Sequence, residues 1–241
     1  MLGKGFFFAE SYNPDLPEEI WTLVDEIGAG SYSKTLQWGK YKIVLSGAGG
    51  AGGCCIREPG AGDLDFIYAG SAGEQKTVYI DIVGGETKII SGIVGSGASG
   101  SSVSITSAHK VASSFGSVGT GYANGQTGTK YAISRTEQHP FEDASWGSAG
   151  GSGGGSTSLL INSVLSSVAK GGNGGSVTIN ESGWRTAQGG IGGSGGTSSG
   201  SGAPGGNYEY WRAAGGHGNR TITSGSGSDG YVKIYKSNLR P

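Results

Sequence analysis

Short runs in which apolar and polar residues alternate recur along most of the chain. They are rich in valine, isoleucine, threonine and tyrosine, and a period of two places successive side chains on opposite faces of a sheet. We interpret the following runs as half-buried strands: 41–45, 77–82, 87–90, 103–106, 130–133, 177–179 and 231–235. Gly84-Gly85 lies between two of these runs and predicts a hairpin turn.

Two further segments leave the type of element open. The segment 17–27 predicts either a short helix that begins at Pro17 or an edge segment of a sheet. The segment 158–170 has apolar residues at i, i+4 spacing, which predicts a helix, although a buried strand pair fits nearly as well. Because glycine is sparsest near the N-terminus, we expect a docking or lead-in segment at 1–38 and a glycine-rich domain at 39–241.

Glycine accounts for 52 of the 241 residues, whereas an average protein contains about 7%. Much of it falls in tracts between the predicted strands, such as 47–53, 171–175 and 189–196. Their GG-x-GG pattern has a period of three, which matches the extended threefold helix that has no internal hydrogen bonds. Without Cβ atoms, neighbouring helices can approach until their backbones bond to each other. We therefore expect packed polyglycine II helices, with flexible glycine-serine linkers as the alternative.

Charge and hydropathy exclude several classes of protein. The formal net charge is −1 and no long basic run is present, so we expect no nucleic-acid partner bound through its phosphates. No stretch approaches the ~20 apolar residues of a membrane span, so we expect no membrane insertion. The apolar run near the N-terminus is shorter than the roughly 7–15 residues that a signal peptide needs. Either the chain is already mature or it reaches its place of work without the general secretion route.

Motifs that suggest catalysis are weak matches. Gly47-x-Gly49-x-x-Gly52 has the form of a dinucleotide-binding fingerprint, but no helix pattern follows it. The histidines are widely separated and lack companions at ligand spacing; they are His109, His139 and His217. We expect no enzymatic activity, no cofactor and no metal site. The adjacent Cys54 and Cys55 rarely bridge each other, and we expect small buried apolar side chains there.

Aromatic residues form islands inside the glycine-rich part of the chain. Tyrosine, tryptophan and arginine dominate interface hot spots, so islands on loops would form a recognition tip. The candidate recognition residues are Tyr208, Glu209, Tyr210, Trp211, Arg212, Trp184 and Arg185. The segment 139–143 and Trp146 are expected in a loop between strands. In the alternative interpretation, the aromatic residues cap the glycine helices and form a small satellite core.

The succession GKYKIVLSGAGGAGG, AKGGNGG, GGIGGSGG and GSGSDGYVKIY resembles the glycine-rich domains of phage tail-fibre and other virion proteins. It is also similar to the glycine-rich extracellular region of the anaplastic lymphoma kinase receptor family. The resemblance covers about residues 39–236, although the tracts here are shorter and more often interrupted by strands. It implies an all-β fold, a β-sandwich or jelly-roll-like domain with packed polyglycine II helices inserted between the strands. In such adhesins, loops on polyglycine II helices bind host outer-membrane proteins.

We therefore expect a non-enzymatic virion or cell-surface protein, most simply a tail-fibre adhesin. Its partners would be a host surface receptor or neighbouring subunits, and it would form a homo-oligomer. The alternative is a self-assembling extracellular filament or coat subunit in which Phe6, Phe7 and Phe8 donate a strand to a neighbour. A third possibility is an ice-binding protein, because polyglycine II bundles present flat faces, although the serines stand at irregular positions.

Overall fold

The structure is a computed structural model of the chain. It describes residues 17–58, 64–68, 70–105, 111–114, 116–123, 135–139, 142–149, 151–175, 177–178, 188–189, 210–211 and 220–241. These residues form strands joined by extended segments, and no helix occurs among them. The expectation of an all-β protein is therefore confirmed for the described part of the chain.

Most of the runs predicted as strands are strands in the structure. In chain order the strands are β1 (Trp21–Ile27), β2 (Gly30–Leu36), β3 (Gly39–Ser46), β4 (Gly53–Glu58), β5 (Leu64–Tyr68), β6 (Gln75–Ile82), β7 (Lys88–Val94), β8 (Ser102–Ile105), β9 (Val111–Ser114), β10 (Arg135–His139), β11 (Glu142–Ala149), β12 (Thr157–Ile161), β13 (Val164–Ala169), β14 (Val177–Thr178), β15 (Gln188–Gly189), β16 (Tyr210–Trp211), β17 (Arg220–Thr223) and β18 (Tyr231–Ser237). The run 130–133 lies outside the described residues.

Two four-stranded antiparallel sheets, which we call the proximal sheets, contain strands from both ends of the chain. Sheet 1 has the strand order β1-β18-β3-β6, and sheet 2 has the order β13-β12-β7-β2. Strands β1 and β2 both come from the segment 1–38, and each lies at the edge of one sheet. For the segment 17–27, which left a helix and an edge segment open, the structure shows the edge strand.

The inward side chains of the two proximal sheets form one apolar cluster. Its buried members are Tyr32, Leu36, Tyr41, Ile43, Leu45, Ile80, Ile82, Ile90, Val94, Leu159, Ala169, Val232 and Ile234. Each large apolar side chain removed from water stabilises the fold by about 1.5–3 kcal/mol. The Tyr32 hydroxyl donates a hydrogen bond of 2.9 Å to the Ser158 carbonyl, which links β2 to β12 inside the cluster.

Three further sheets, which we call the distal sheets, contain β8 and β14, which match the predicted runs 103–106 and 177–179, and eight strands that were not predicted. They have the orders β10-β11-β4-β5-β16, β17-β8-β9 and β14-β15. Strand β8 packs against β4 and β11, so the first two of these sheets lie against each other.

Glycine-rich tracts join the proximal sheets to the distal sheets. The tract 47–52 leads from β3 to β4, and the other connections between the two groups of sheets contain 70–74, 95–101, 151–156, 170–175 and 224–230. A further tract, 116–123, follows β9. The chain therefore passes repeatedly from the proximal to the distal sheets and back through these tracts.

The segment 158–170 forms two strands, so the helix predicted from its spacing is wrong. Strands β12 and β13 are antiparallel and are joined by Asn162 and Ser163, whose φ angles are 49° and 67°. Two consecutive positive φ angles match the twist of a two-residue hairpin turn. The Asn162 side chain accepts a hydrogen bond of 2.9 Å from the Ile89 N–H, which fixes the hairpin against β7.

Two other local predictions are also wrong. Gly84 and Gly85 do form a turn, but it connects β6 of sheet 1 to β7 of sheet 2, so it is not a hairpin. Trp146, expected in a loop, lies in β11, where its backbone is paired with Arg135 of β10 and Arg57 of β4. At Gly84 and Gly85 the local residues indicated a turn correctly but carried no information about which strands pair.

Candidate functional site

The tract 47–52 is buried along its whole length by the backbones of other tracts. Its successive N–H groups donate to three different neighbours in rotation, so that residues three positions apart bond to the same neighbour. Gly47 and Gly50 donate to the tract 70–74, Ala48 and Ala51 to 151–156, and Gly49 and Gly52 to 224–230, at 2.8–3.0 Å. The tract thus satisfies its buried N–H groups without joining a sheet.

The same three-residue step recurs between the other tracts. The N–H groups of Ser224, Gly227 and Gly230 donate to the carbonyls of Ser101, Ala98 and Gly95. Further donor and acceptor pairs with this step are Gly172 to Ala48 and Gly175 to Ala51, Gly119 to Gly153 and Tyr122 to Ser156, and Ser96 to Thr120 and Ser99 to Ser117. The same three-residue step therefore relates many of the backbone hydrogen bonds between the described tracts.

The tracts approach each other so closely that most of their glycines have no room for a side chain. A Cβ on Gly50 would collide with the Asn173 carbonyl, and a Cβ on Gly73 would collide with the Gly47 carbonyl. Ala48, by contrast, is fully buried with its methyl group in place. Whether a tract position needs glycine therefore depends on the direction in which its Cβ would point.

Polar side chains replace backbone carbonyls as acceptors where the tract region meets solvent. These exposed pairs, written as donor and acceptor, are Ser117 N–H to Ser99 Oγ at 2.6 Å, Thr120 N–H to Ser96 Oγ at 2.9 Å, Gly97 N–H to Asp229 Oδ1 at 2.7 Å and Gly100 N–H to Ser226 Oγ at 3.1 Å. Serine and aspartate side chains on one tract therefore accept hydrogen bonds from backbone N–H groups of the neighbouring tract at these exposed positions.

Buried polar groups connect the tracts to the distal strand β4. The Ser224 hydroxyl donates a hydrogen bond of 2.5 Å to the Gly52 carbonyl and accepts one of 2.9 Å from the Ser101 N–H. The Cys54 thiol lies 3.5 Å from the Ser101 carbonyl, and burial raises the pKa of this thiol to about 12. Cys54 is therefore an inert buried side chain, as predicted, rather than a nucleophile.

Two of the candidate recognition residues lie at the edge of a distal sheet. Tyr210 and Trp211 form β16, where they pair with Phe66 and Asp65 of β5. The other candidates lie outside the described residues; they are Trp184, Arg185, Tyr208, Glu209 and Arg212, together with Phe6, Phe7 and Phe8 of the candidate assembly segment. The structure therefore locates part of the candidate recognition surface at the end of the tracts opposite the proximal sheets.

A cluster of aromatic rings and a lysine on the outer face of sheet 1 was missed by sequence reasoning. The Lys42 ammonium lies 5.3 Å from the centroid of the Trp21 ring and 4.6 Å from that of the Tyr235 ring. The Trp21 and Tyr79 ring centroids are 5.7 Å apart, with 60° between the ring planes. We call Trp21, Lys42, Tyr79 and Tyr235 the aromatic platform. The alternation of apolar and polar residues in β3, β6 and β18 could have predicted that Lys42, Tyr79 and Tyr235 face outward. Only the strand order brings these side chains together with Trp21.

Ion pairs surround the aromatic platform. Lys40 Nζ lies 2.8 Å from Glu19 Oε1, and Lys233 Nζ lies 3.3 Å from Glu26 Oε1. Hydrogen bonds from the Lys40 ammonium and the Ser237 hydroxyl hold the pKa of the Glu19 carboxyl below its ordinary value. Lys40 and Lys233 therefore already have carboxylate partners, whereas Lys42 has none among the described residues.

The described residues contain no group of three or more histidine, cysteine, aspartate or glutamate side chains that could hold a metal ion. Within the same residues, no helix is long and apolar enough to cross a membrane. Comparison with family models, with curated proteins and with solved structures finds no match to this chain. Inference about the function of this chain therefore rests on the arrangement of its own residues.

Proposed function

We propose that this chain is a non-enzymatic attachment protein of a virion or cell surface, of the tail-fibre adhesin type. In this proposal the proximal sheets form a β-sandwich, the tracts form a bundle of polyglycine II helices, and the distal sheets present the recognition residues to a host surface receptor. The observation that carries the proposal is the repeated passage of the chain through hydrogen-bonded tracts that separate the two groups of sheets.

The hydrogen-bond rotation supports the polyglycine II assignment. A helix with three residues per turn directs every third N–H group to the same side, which is the step observed for the tract 47–52. At ~3.1 Å per residue, six such residues extend over about 19 Å. The sandwich is supported by the apolar cluster, to which both proximal sheets contribute.

The position of β16 supports the role in attachment. Tyr210 and Trp211 belong to the distal sheets, at the far end of the tracts from the proximal sheets. A receptor could be contacted there without disturbing the apolar cluster of sheets 1 and 2. Aromatic residues on a stable support are a common basis for recognition because little entropy is lost on binding.

The proposal is tested by attachment of the full chain, fluorescently labelled, to a panel of bacterial cells that carry an outer membrane. We expect saturable binding that the unlabelled chain competes away. The triple variant Tyr208→Ala, Tyr210→Ala, Trp211→Ala should bind at least tenfold more weakly while its circular dichroism stays unchanged. The matched control is Tyr122→Ala, since Tyr122 is a half-exposed tyrosine on a tract. Equal attachment of the triple variant and the unmodified chain would contradict the proposed recognition surface.

A self-assembling filament or coat subunit is the second candidate. It is favoured by strand β13, an edge strand of sheet 2 whose residues carry no charge and in which Val164 is 70% exposed. Charged residues normally protect such edges against pairing with another chain. The two candidates are separated by the mass in solution of the full chain and of a variant that lacks residues 1–10. Polymers that form only with Phe6, Phe7 and Phe8 present would favour assembly, whereas an unchanged small oligomer would favour the adhesin.

A further inference from the structure

The outer face of sheet 1 presents aromatic rings to solvent beside a cationic group. Side chains of β3, β6 and β18 alternate between the apolar cluster and this outer face. Tyr79 is 65% exposed, and the Trp21, Lys42 and Tyr235 side chains are partly exposed beside it. An exposed group of aromatic rings on the surface of a protein indicates a binding function more often than a chance arrangement.

Lys42 gives the aromatic platform its charge. Its ammonium contacts the faces of the Trp21 and Tyr235 rings, which attract a cation through their quadrupoles. The neighbouring Lys40 and Lys233 are engaged by Glu19 and Glu26. Among the described residues, no carboxylate lies within ion-pair distance of Lys42. The platform therefore combines exposed aromatic surface with the positive charge of the partly exposed Lys42 side chain.

We propose that the aromatic platform binds an acidic polysaccharide, a chain of sugar rings that bear carboxylate or sulfate groups. The C–H groups on one side of a sugar ring form an apolar, weakly positive surface, which stacks on the negative face of an aromatic ring. Tyr79 and Trp21 supply such rings, and the Lys42 ammonium pairs with the anionic group of the stacked sugar.

Hydrogen-bonding groups next to the platform fit the hydroxyl groups of a sugar chain. Gln75 Nε2 donates a hydrogen bond of 2.8 Å to the Tyr231 hydroxyl, and the Lys233 ammonium lies 4.8 Å from the centroid of the Tyr231 ring. Both Tyr231 and Lys233 lie on β18, the strand that carries Tyr235. A sugar chain that extends along β18 would therefore meet a further aromatic ring, that of Tyr231, with polar groups beside it.

The charge distribution favours an acidic polysaccharide over single-stranded nucleic acid. Nucleic acid also stacks on aromatic rings, but it carries a phosphate at every nucleotide and needs a positively charged groove along its backbone. Here Glu19 and Glu26 flank the platform, Asp81 lies opposite Lys40 in the pairing of β3 with β6, and the net charge of the chain is −1. An acidic polysaccharide with one carboxylate per disaccharide carries fewer negative charges along its length, so it avoids most of this repulsion. It can still pair with Lys42, which has no ion-pair partner among the described residues.

The test is affinity electrophoresis of the full chain in native gels that contain hyaluronate, which has one carboxylate per disaccharide, with neutral dextran and oligo(dT) as comparison polymers. We expect retardation by hyaluronate alone, weakening as salt is added. Lys42→Gln and Tyr79→Ala should each weaken the binding at least tenfold. Tyr79 is largely exposed, so its truncation leaves the apolar cluster intact. Lys170→Gln and Tyr122→Ala are the matched controls on exposed positions outside the aromatic platform and should bind like the unmodified chain.

Three results would overturn the proposal. The first is equal retardation of the unmodified chain and the Lys42→Gln and Tyr79→Ala variants by hyaluronate, or no retardation at all. The second is stronger retardation by dextran or oligo(dT), which would assign the platform to a neutral sugar or to nucleic acid. The third is a self-association of the chain that Tyr79→Ala abolishes, since the platform would then be covered by a second copy. None of these results depends on cell attachment through Tyr210 and Trp211, so the two proposals fail separately.

Discussion

The proximal sheets and the glycine tracts are both buried, but opposite features of the chain hold them together. In the sheets, side chains fill the interior, and Ile43, Leu45 and Ile82 have no exposed surface. In the tracts the backbone itself is the packing surface, and most of the glycines have no room for a side chain. Substitutions can therefore disrupt the packing in two ways. In the sheets they remove side-chain atoms from the interior, and in the tracts they add side-chain atoms where two backbones are in contact.

The two regions also differ in the interactions that stabilise them. Burial of an apolar side chain contributes about 1.5–3 kcal/mol, whereas a backbone hydrogen bond contributes a net ~1 kcal/mol and glycine loses the most freedom on folding. Order in the tract 47–52 therefore depends on having all its neighbours present at once. Strands at both ends of the tract reduce the entropy cost, because they fix where it begins and ends.

The largest expected effect comes from adding one methyl group to the tract region. Gly50→Ala places a Cβ against the Asn173 carbonyl, where backbone has to move and hydrogen bonds of the tract 47–52 are broken. We expect a loss of about 3–5 kcal/mol in the free energy of unfolding, measured by urea titration.

Gly84→Ala is the matched control for this substitution. A Cβ at Gly84 meets no atom within 4 Å, so we expect a change of no more than about 0.5 kcal/mol. If Gly50→Ala were as mild as Gly84→Ala, the close packing of the tracts would be contradicted. Alkylation of Cys54, located by tandem mass spectrometry, gives a second readout, because the buried thiol becomes reactive only when this region opens.

Removing atoms from the apolar cluster should have the next largest effect. Ile43→Ala leaves a cavity between the proximal sheets, and we expect a loss of about 3 kcal/mol from urea titration. Ile89→Ala is the control, since Ile89 lies in the neighbouring sheet but is 49% exposed, and it should cost less than half as much. Equal losses for the two variants would show that side-chain packing is not what stabilises the proximal sheets.

The sequence predicted β3, β6, β7 and β18 of the proximal sheets because their side chains report their surroundings. Ile43 and Ile234 are buried between partly exposed neighbours, and this alternation is visible in the residues alone. At 158–170 the sequence left a helix and a strand pair open, because leucine and valine at helical spacing competed with a turn that depends on two positive φ angles. The separation of β6 and β7 into different sheets could not be predicted from Gly84 and Gly85 either, because strand order depends on residues far apart in the chain.

The tracts show a different limit of sequence reasoning. Their period of three was visible in the glycine pattern, but the rotation of donors from 70–74 to 151–156 to 224–230 was not, since each neighbour is far away in the chain. The aromatic platform was missed for the same reason. Trp21 and Tyr79 lie on the two edge strands of sheet 1, and only the strand order β1-β18-β3-β6 brings their rings together.

Removal of the Ser224 hydroxyl group, which lies where the tracts meet the distal strand β4, should lower the free energy of unfolding by an intermediate amount. Ser224→Ala removes the donor to the buried Gly52 carbonyl and the acceptor for the Ser101 N–H. We expect a loss of about 1–3 kcal/mol, because the Gly52 carbonyl is left without this donor in a buried position. Ser226→Ala is the control, since its Oγ accepts from Gly100 at an exposed position where water can replace it. A greater loss for Ser226→Ala would contradict the assignment of these hydroxyls to interior and surface roles.

The smallest expected change in stability comes from removing the charge of Glu19, which lies beside the edge strand β1 of sheet 1. The pKa of Glu19 is lowered from its ordinary 4.5 by hydrogen bonds from Lys40 and Ser237, so its carboxylate stabilises the fold above that pH. This contribution is lost as the pH falls through the lower pKa of the folded state. The difference in stability between the unmodified chain and Glu19→Gln should therefore be small at pH 7 and vanish in acid. Added salt should reduce it as well, because the pair with Lys40 is exposed to solvent. A difference for Glu19→Gln that grows in acid would contradict the pairing with Lys40.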